Sequence, residues 1–300
     1  MLLEDKILSA MKWWDNFKRN RQLKRKQTSD RRALKRTRML KNGAVKRKGR
    51  AALCLGGGGA RGFAHIGALQ AFKEAGIDFD IVVGCSAGSI VGALYAAGVE
   101  PKEILAHGST LKMKDIKKGF IWSPDDSMKI GKIVSDIIGD KDFKDLKKPF
   151  CAVATDLVEG KQVILDKGSV AVAVAASSTV PLFFKPLVVG DKHLVDGGLL
   201  NNIPADVCRM LGADYVVTVD VNPTRGGGTK ELGLVSVLKA SFDIMGANAS
   251  VHGLINSDII VAPDLSAFKA TDKEGYEEMY RLGYEAAKAK CSEIIGLIYK

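Results

Sequence analysis

The stretch Ile81-Val82-Val83-Gly84-Cys85-Ser86-Ala87-Gly88, running on into an alanine- and leucine-rich segment up to Gly98, leaves this chain little conformational choice. The β-branched run reads as a strand and the segment after it as a helix. They are joined by G-x-S-x-G, a sharp turn that exposes the serine hydroxyl at the carboxyl end of the strand. Side chains two residues either side of the serine would collide in such a turn, so positions 84 and 88 must be glycine. Ser86 is therefore the first candidate nucleophile, and Gly84 and Gly88 are the residues that permit its geometry.

A second strand-turn-helix precedes the first. Ala51-Ala52-Leu53-Cys54-Leu55 has a buried-strand pattern, followed by Gly56-Gly57-Gly58-Gly59-Ala60-Arg61-Gly62 and a helix to about Ala75, with Gly76 as its stop. Gly57-x-Gly59-x-x-Gly62 matches the dinucleotide fingerprint literally. That fingerprint needs an acid at the far end of the next strand, whereas Asp78 and Asp80 precede Ile81 and the far end carries the serine turn. No Gly-Lys-Ser/Thr follows as a P-loop requires. The remaining readings are a glycine turn for close packing, or an anion site made of backbone amides at a helix start. Beside a nucleophile, such amides at Gly57, Gly58 and Gly59 would face the oxyanion of a tetrahedral intermediate. Arg61 either steadies this loop or attracts a phosphate.

The rest of the body keeps alternating. Helices are expected after Pro101, at 126–138, 170–177, 204–211, near 231–251, and from 272 onward. Strands are expected at 150–155 and 162–165 around the turn Glu159-Gly160, at 187–189 and 193–195 around Gly190-Asp191, at 215–219 and at 258–262. This pattern specifies an α/β layered fold with a mainly parallel core.

A serine nucleophile needs a base, and there are four histidines. His65 reads as a packing residue of the helix after the glycine loop, and His107 and His252 fall in helices with no motif around them. His193 is best placed for a triad, three residues before Asp196-Gly197-Gly198. An odd offset along a strand, however, puts two side chains on opposite faces. Alternatively Asp196, at a strand end, contacts Ser86 directly; partial burial would raise its pKa and make it a useful base. The five cysteines are odd in number and scattered, without a C-x-x-C pair, as expected of reduced thiols, and Cys54 and Cys85 sit in apolar strands. No His/Asp/Glu cluster has metal-ligand spacing, so neither metal nor cofactor is expected.

Charge divides the chain. Residues 1–50 hold 18 Lys/Arg against 4 Asp/Glu, a balance of +14, while the remaining 250 hold 27 against 30, a balance of −3. We expect a basic N-terminal arm over 1–49 and a single body over 50–300. Within the arm, Leu3, Ile7, Met11, Trp14 and Phe17 recur at steps of three and four, the pattern of an amphipathic helix over 2–19. An interfacial helix followed by a lysine- and arginine-rich tract has the make-up of an anchor to an anionic membrane surface. Nucleic acid is not an expected partner, because the arm has no base-reading motif. The start lacks the apolar core of a signal peptide, and no run approaches the roughly 18 apolar residues of a membrane span. The expected location is the cytoplasm, peripheral on the inner face of the membrane.

Taken in order, GGGGARGFAHIGAL, GCSAGSIVGALYAAG, ASSTVPLFFKP and LVDGGLLNNIP resemble the patatin-like phospholipase family closely. The resemblance covers about residues 51 to 220. It implies a three-layer α/β/α sandwich and hydrolysis of lipid acyl esters, with phospholipids, lysophospholipids or simple esters as substrates. It also implies a Ser86–Asp196 dyad without histidine and an oxyanion hole at Gly57, Gly58 and Gly59. Arg61, Gly62, Gly84, Gly88 and Gly197 fall in the supporting positions. The alternative is a catalytically silent binding adaptor built on the same body.

Overall fold

Uninterrupted apolar runs become the centre of the sheet. Strands β1 (Ala51–Leu55), β2 (Ile81–Cys85) and β3 (Phe150–Asp156) are buried along their whole length, as strands covered by helices on both faces must be. The structure, a computed structural model, describes residues 46–110, 126–222, 233–270 and 274–300. The expected helix over 2–19 and the basic tract up to residue 45 lie outside the described residues.

The remaining strands are β4 (Lys161–Leu165), β5 (Leu187–Val189), β6 (Lys192–Asp196), β7 (Tyr215–Val219) and β8 (Ile259–Val261). Among the described residues they form one sheet in the order β5-β6-β3-β2-β1-β7-β8, with β4 paired to β3 off this path. The pairs β3-β2, β2-β1, β1-β7 and β7-β8 are parallel. The pairs β3-β4, β3-β6 and β6-β5 at one side are antiparallel. The chain is thus an α/β protein with a mixed, mainly parallel central sheet flanked by helices.

Helices α1 (Phe63–Ala75) and α2 (Ala87–Ala97) each stop at a left-handed glycine, Gly76 with φ 72° and Gly98 with φ 88°. Helices α3 (Pro101–Thr110), α4 (Met128–Ile138), α5 (Val170–Ser177) and α6 (Ala205–Met210) follow. The last two are α7 (Leu234–Ile255) and α8 (Tyr276–Ile298). Strand alternation sorts the core between the layers. Ala52, Cys54, Ile81, Val83, Cys151 and Val153 pack on one face against Val207 and Cys208 of α6. On the other face α2 lies close to the sheet: a methyl at Gly92 would stand 3.1 Å from Phe150 and 3.2 Å from Val82. Helices α1 and α8 touch backbone to backbone. A side chain at Gly67 would meet the Tyr280 carbonyl, and one at Gly283 the Ala64 carbonyl.

Helix α7 runs a few residues later than expected, 234–255 in place of 231–251. Among its described residues, Gly246 and Gly253 face backbone, Ser250 is buried and Leu254 packs against the core. Its large apolar residues Val237, Leu238, Ile244, Met245, Val251 and Ile255 point outward. No helix among the described residues is long and apolar enough to cross a membrane.

Candidate active site

The parallel strands deliver their carboxyl ends to one edge, and the site is built there. Ser86 follows β2 directly with φ 50° and ψ −122°, a left-handed conformation that a non-glycine residue adopts only under strain. The flanking glycines are required by contact. A methyl at Gly84 would lie 2.5 Å from the Gly88 carbonyl oxygen, and one at Gly88 would run into the Leu55 carbonyl. Gly62 brings the neighbouring loop in: a methyl there would stand 2.9 Å from Ala87 Cβ.

Hydrogen bonds hold the strained residue from both ends. The Ser86 amide donates to Ser177 Oγ at 3.0 Å, and that hydroxyl donates to the Val153 carbonyl at 2.6 Å. The Ser86 carbonyl accepts from Ser89 Oγ at 2.7 Å and from the Ser89 amide at 2.8 Å. The hydroxyl thus stands at the start of α2, where the helix dipole favours negative charge.

Asp196 closes β6, paired with Ala154 of β3, and its amide donates to the Thr179 carbonyl at 2.9 Å. Its carboxylate is buried. Oδ1 accepts the Gly198 amide at 2.8 Å and faces the Cys85 thiol at 3.9 Å. Oδ2 has no hydrogen-bond partner of ordinary geometry among the described residues. Burial pushes the carboxyl up to about 6, against the opposing pull of the Ser86 hydroxyl, the Gly198 amide and the Cys85 thiol. The chain therefore carries a desolvated carboxylate on the serine's side of the sheet edge, with β3 between its strand and β2. Gly197 is glycine for lack of room, since a side chain there would enter the Val153 carbonyl.

The glycine loop lies against the serine: a methyl at Gly57 would come within 3.2 Å of Ser86 Cβ. The three glycines differ in their amides. Gly57 donates its N–H to the Asn202 carbonyl at 3.1 Å, and a methyl on it would run into Asn202 Oδ1 as well as crowd Ser86. No protein acceptor among the described residues takes the amides of Gly58 and Gly59. Gly59 has φ 59°, and a methyl on it would stand 2.5 Å from the Ala270 carbonyl oxygen. Arg61 turns toward the protein. Its Nε and Nη2 donate to the Phe268 carbonyl at 2.9 and 2.7 Å, and Nη1 donates to Asn222 Oδ1 at 2.8 Å. These are the bonds of a loop-steadying residue.

None of the histidines stands beside Asp196. His193 is exposed while Asp196 is buried, as the odd offset along β6 requires. His65 is buried in α1 with Nε2 2.8 Å from the Gly56 carbonyl. Burial lowers its pKa to about 4, against the upward pull of that hydrogen bond, so the ring is neutral near pH 7. His107 is exposed, and His252 lies 3.9 Å from Asp206. All five cysteines are free and buried. Burial holds the Cys85 thiol well above its ordinary range, which leaves it un-ionised and no nucleophile. Among the described residues no group of three His, Cys, Asp or Glu side chains could hold a metal ion.

Fold and site together define an α/β sandwich with a nucleophile elbow beside a buried carboxylate and a glycine loop. The patatin-like phospholipase family model matches residues 53–209, and the chain belongs to that family. An uncharacterised NTE family protein of Mycobacterium tuberculosis is 35% identical over 189 residues, covering 61% of this chain and 52% of that protein. The patatin-like phospholipase domain-containing protein 6 of Mus musculus is 37% identical over 185 residues, covering 57% of this chain and 13% of that protein. The chain thus spans about half the length of such mycobacterial relatives. Among solved structures, VipD from Legionella pneumophila aligns with a TM-score of 0.54 at 17% identity, covering 83% of this chain and 68% of that one. Human GIVD cytosolic phospholipase A2 aligns at 0.50 with 10% identity, covering 91% of this chain and 64% of that one. These two likenesses concern the fold.

Proposed function

We propose that the chain is a serine lipid acyl hydrolase of the phospholipase, lysophospholipase or carboxylesterase type, working through a Ser86–Asp196 dyad. The observation that carries this reading is the pair itself: a strained serine and a buried carboxylate with one oxygen left over. Family membership supports the substrate class. Ionised Asp196 accepts the Ser86 proton as Oγ attacks the ester carbonyl. The negative oxygen of the tetrahedral intermediate is held by the amides of Gly58 and Gly59. Collapse expels the alcohol, which takes the proton back from Asp196. Water then gives its proton to the same carboxylate and attacks the acyl-enzyme, releasing the fatty acid and restoring Ser86. No metal or cofactor enters these steps.

The test is a fluorophosphonate probe with peptide mapping, alongside turnover of phospholipid and lysophospholipid by wild type and Ser86→Ala. Labelling confined to Ser86, with turnover lost in the variant, is expected. An unlabelled wild type would leave the silent adaptor as the better reading.

Residues 1–49 supply the proposed membrane contact. A shallow apolar helix beside cations that attract anionic lipid would hold such an enzyme where its substrate is presented. Each engaged Lys or Arg adds about 1 kcal/mol.

A further inference from the structure

Asn222 follows β7 at the end of Asp220-Val221-Asn222, beyond the region matched by the family model. Its side chain is bound on both sides. Oδ1 accepts from Arg61 Nη1 at 2.8 Å, and Nδ2 donates to the Gly57 carbonyl at 2.7 Å. The guanidinium can only donate, so it fixes which end of the Asn222 amide faces it. The amino end is thereby committed to Gly57.

The Gly57 carbonyl and the Gly58 N–H belong to one peptide unit. That unit is planar and trans, so its C=O and N–H point in opposite directions. A donor that pulls the carbonyl toward Asn222 therefore aims the Gly58 N–H the other way. A hydrogen bond to the carbonyl also polarises the group and strengthens its N–H as a donor. A glycine-rich loop has no side chains of its own to hold this plane, and glycine resists neither orientation. The holding groups come from the C-terminal part of the chain: Asn222 on Gly57, the Phe268 carbonyl on Arg61, and the Ala270 carbonyl, which accepts the Ala60 amide at 2.7 Å.

We propose that Asn222 is a positioning residue for the oxyanion hole, setting the direction and donor strength of the Gly58 amide from outside the family motifs. This rests on the hydrolase reading above. Arg61 acts one step further back, by holding Asn222 in the orientation that can donate.

The test uses the full chain with Asn222→Ala and Asn222→Asp. Aspartate keeps the shape and the Arg61 partner but places an acceptor oxygen against the Gly57 carbonyl. Kinetics are measured on a short soluble ester, together with inhibition by a trifluoromethyl ketone, whose adduct with Ser86 carries the same oxyanion. Removing one oxyanion donor typically lowers kcat by about 10²–10³. A misaimed donor should lower it by at least about tenfold, with KM changed by less than about threefold. The ketone should weaken by the same factor as kcat/KM, a parallel that general loosening of the fold would not produce. Should Asn222→Ala fail to fold, Asn222→Asp decides alone. Variants that keep wild-type kcat, or lose it without a matching loss of ketone affinity, overturn the proposal. A wild type inert to both compounds would instead bring down the hydrolase reading, and this one with it.

Discussion

Asp196→Asn removes a negative charge that burial disfavours. The carboxyl titrates at about 6 in the folded chain, against an ordinary value of 3.8, because burial disfavours its ionised form. Between these values the folded state holds a proton that the unfolded state has released. Stability contributed by the protonated group is therefore lost as pH rises from about 4 to 6, and stays lost above. Each pKa unit is about 1.4 kcal/mol, so full ionisation destabilises the fold by about 3 kcal/mol, of which about 2 kcal/mol falls between pH 4 and pH 8, because the unfolded carboxyl is already half ionised at pH 4. Asparagine can still accept the Gly198 amide but never ionises. Relative to wild type it should gain about 2 kcal/mol between pH 4 and pH 8, while losing ester hydrolysis. Urea unfolding of both proteins at the two pH values measures this. Any hydrogen bond gained or lost by the new amide is independent of pH and cancels in the comparison. So does His65, whose lowered pKa of about 4 makes stability fall as pH drops below 6.5 in both proteins alike. A difference between the two proteins that is the same at pH 4 and pH 8 would refute the desolvated carboxylate.

Other outcomes follow from the same geometry. Ser86→Gly should unfold at higher urea than Ser86→Ala, by on the order of 1 kcal/mol, because glycine releases the strain at φ 50° and alanine keeps it; the reverse order would contradict a strained elbow. His193→Ala should keep kcat/KM within about threefold on a soluble ester, since the ring is exposed on the face away from Asp196, and a variant as inactive as Ser86→Ala would call for a triad. The kcat/KM profile of wild type should rise with pH through about 6 as Asp196 ionises and then level off; a profile flat from pH 4 to 9 would remove Asp196 as the base. Deleting residues 1–46 should spare hydrolysis of short esters and reduce co-sedimentation with anionic vesicles at low salt, and equal pelleting would leave the arm without a membrane role.

Local steric rules made much of the site legible. Gly84 is required by the turn itself, so G-x-S-x-G announces Ser86 from local sterics, although Gly88 is also held to glycine by the Leu55 carbonyl of β1. The odd spacing between His193 and Asp196 separates their faces in any strand. What stayed hidden depends on residues far apart in the chain. That the Gly57 amide is taken by Asn202 needs a contact across 145 residues. Asn222 carries no motif, and its partner carbonyl lies 165 residues away. Ser177, which holds the Ser86 amide, is 91 residues off, although it lies within the ASSTVP stretch and could have been suspected there. The bounds of α7 were obscured for another reason: six of its large apolar side chains are exposed while Gly246, Ser250 and Gly253 pack inward, so apolar spacing does not mark its ends.

Strand order has a consequence for where this protein can be cut. The recognisable family segment stops at residue 209, yet β7 pairs with β1 along all five of its residues, at the middle of the sheet. A fragment ending where the family match ends would leave β1 as a bare, wholly apolar edge, an invitation to pair with other chains. It would also strip α8 from α1, whose Gly67 was shaped for a backbone and not for water. The segment that identifies the chain and the segment able to fold are different lengths of polypeptide, and the second must include the last strand and helix.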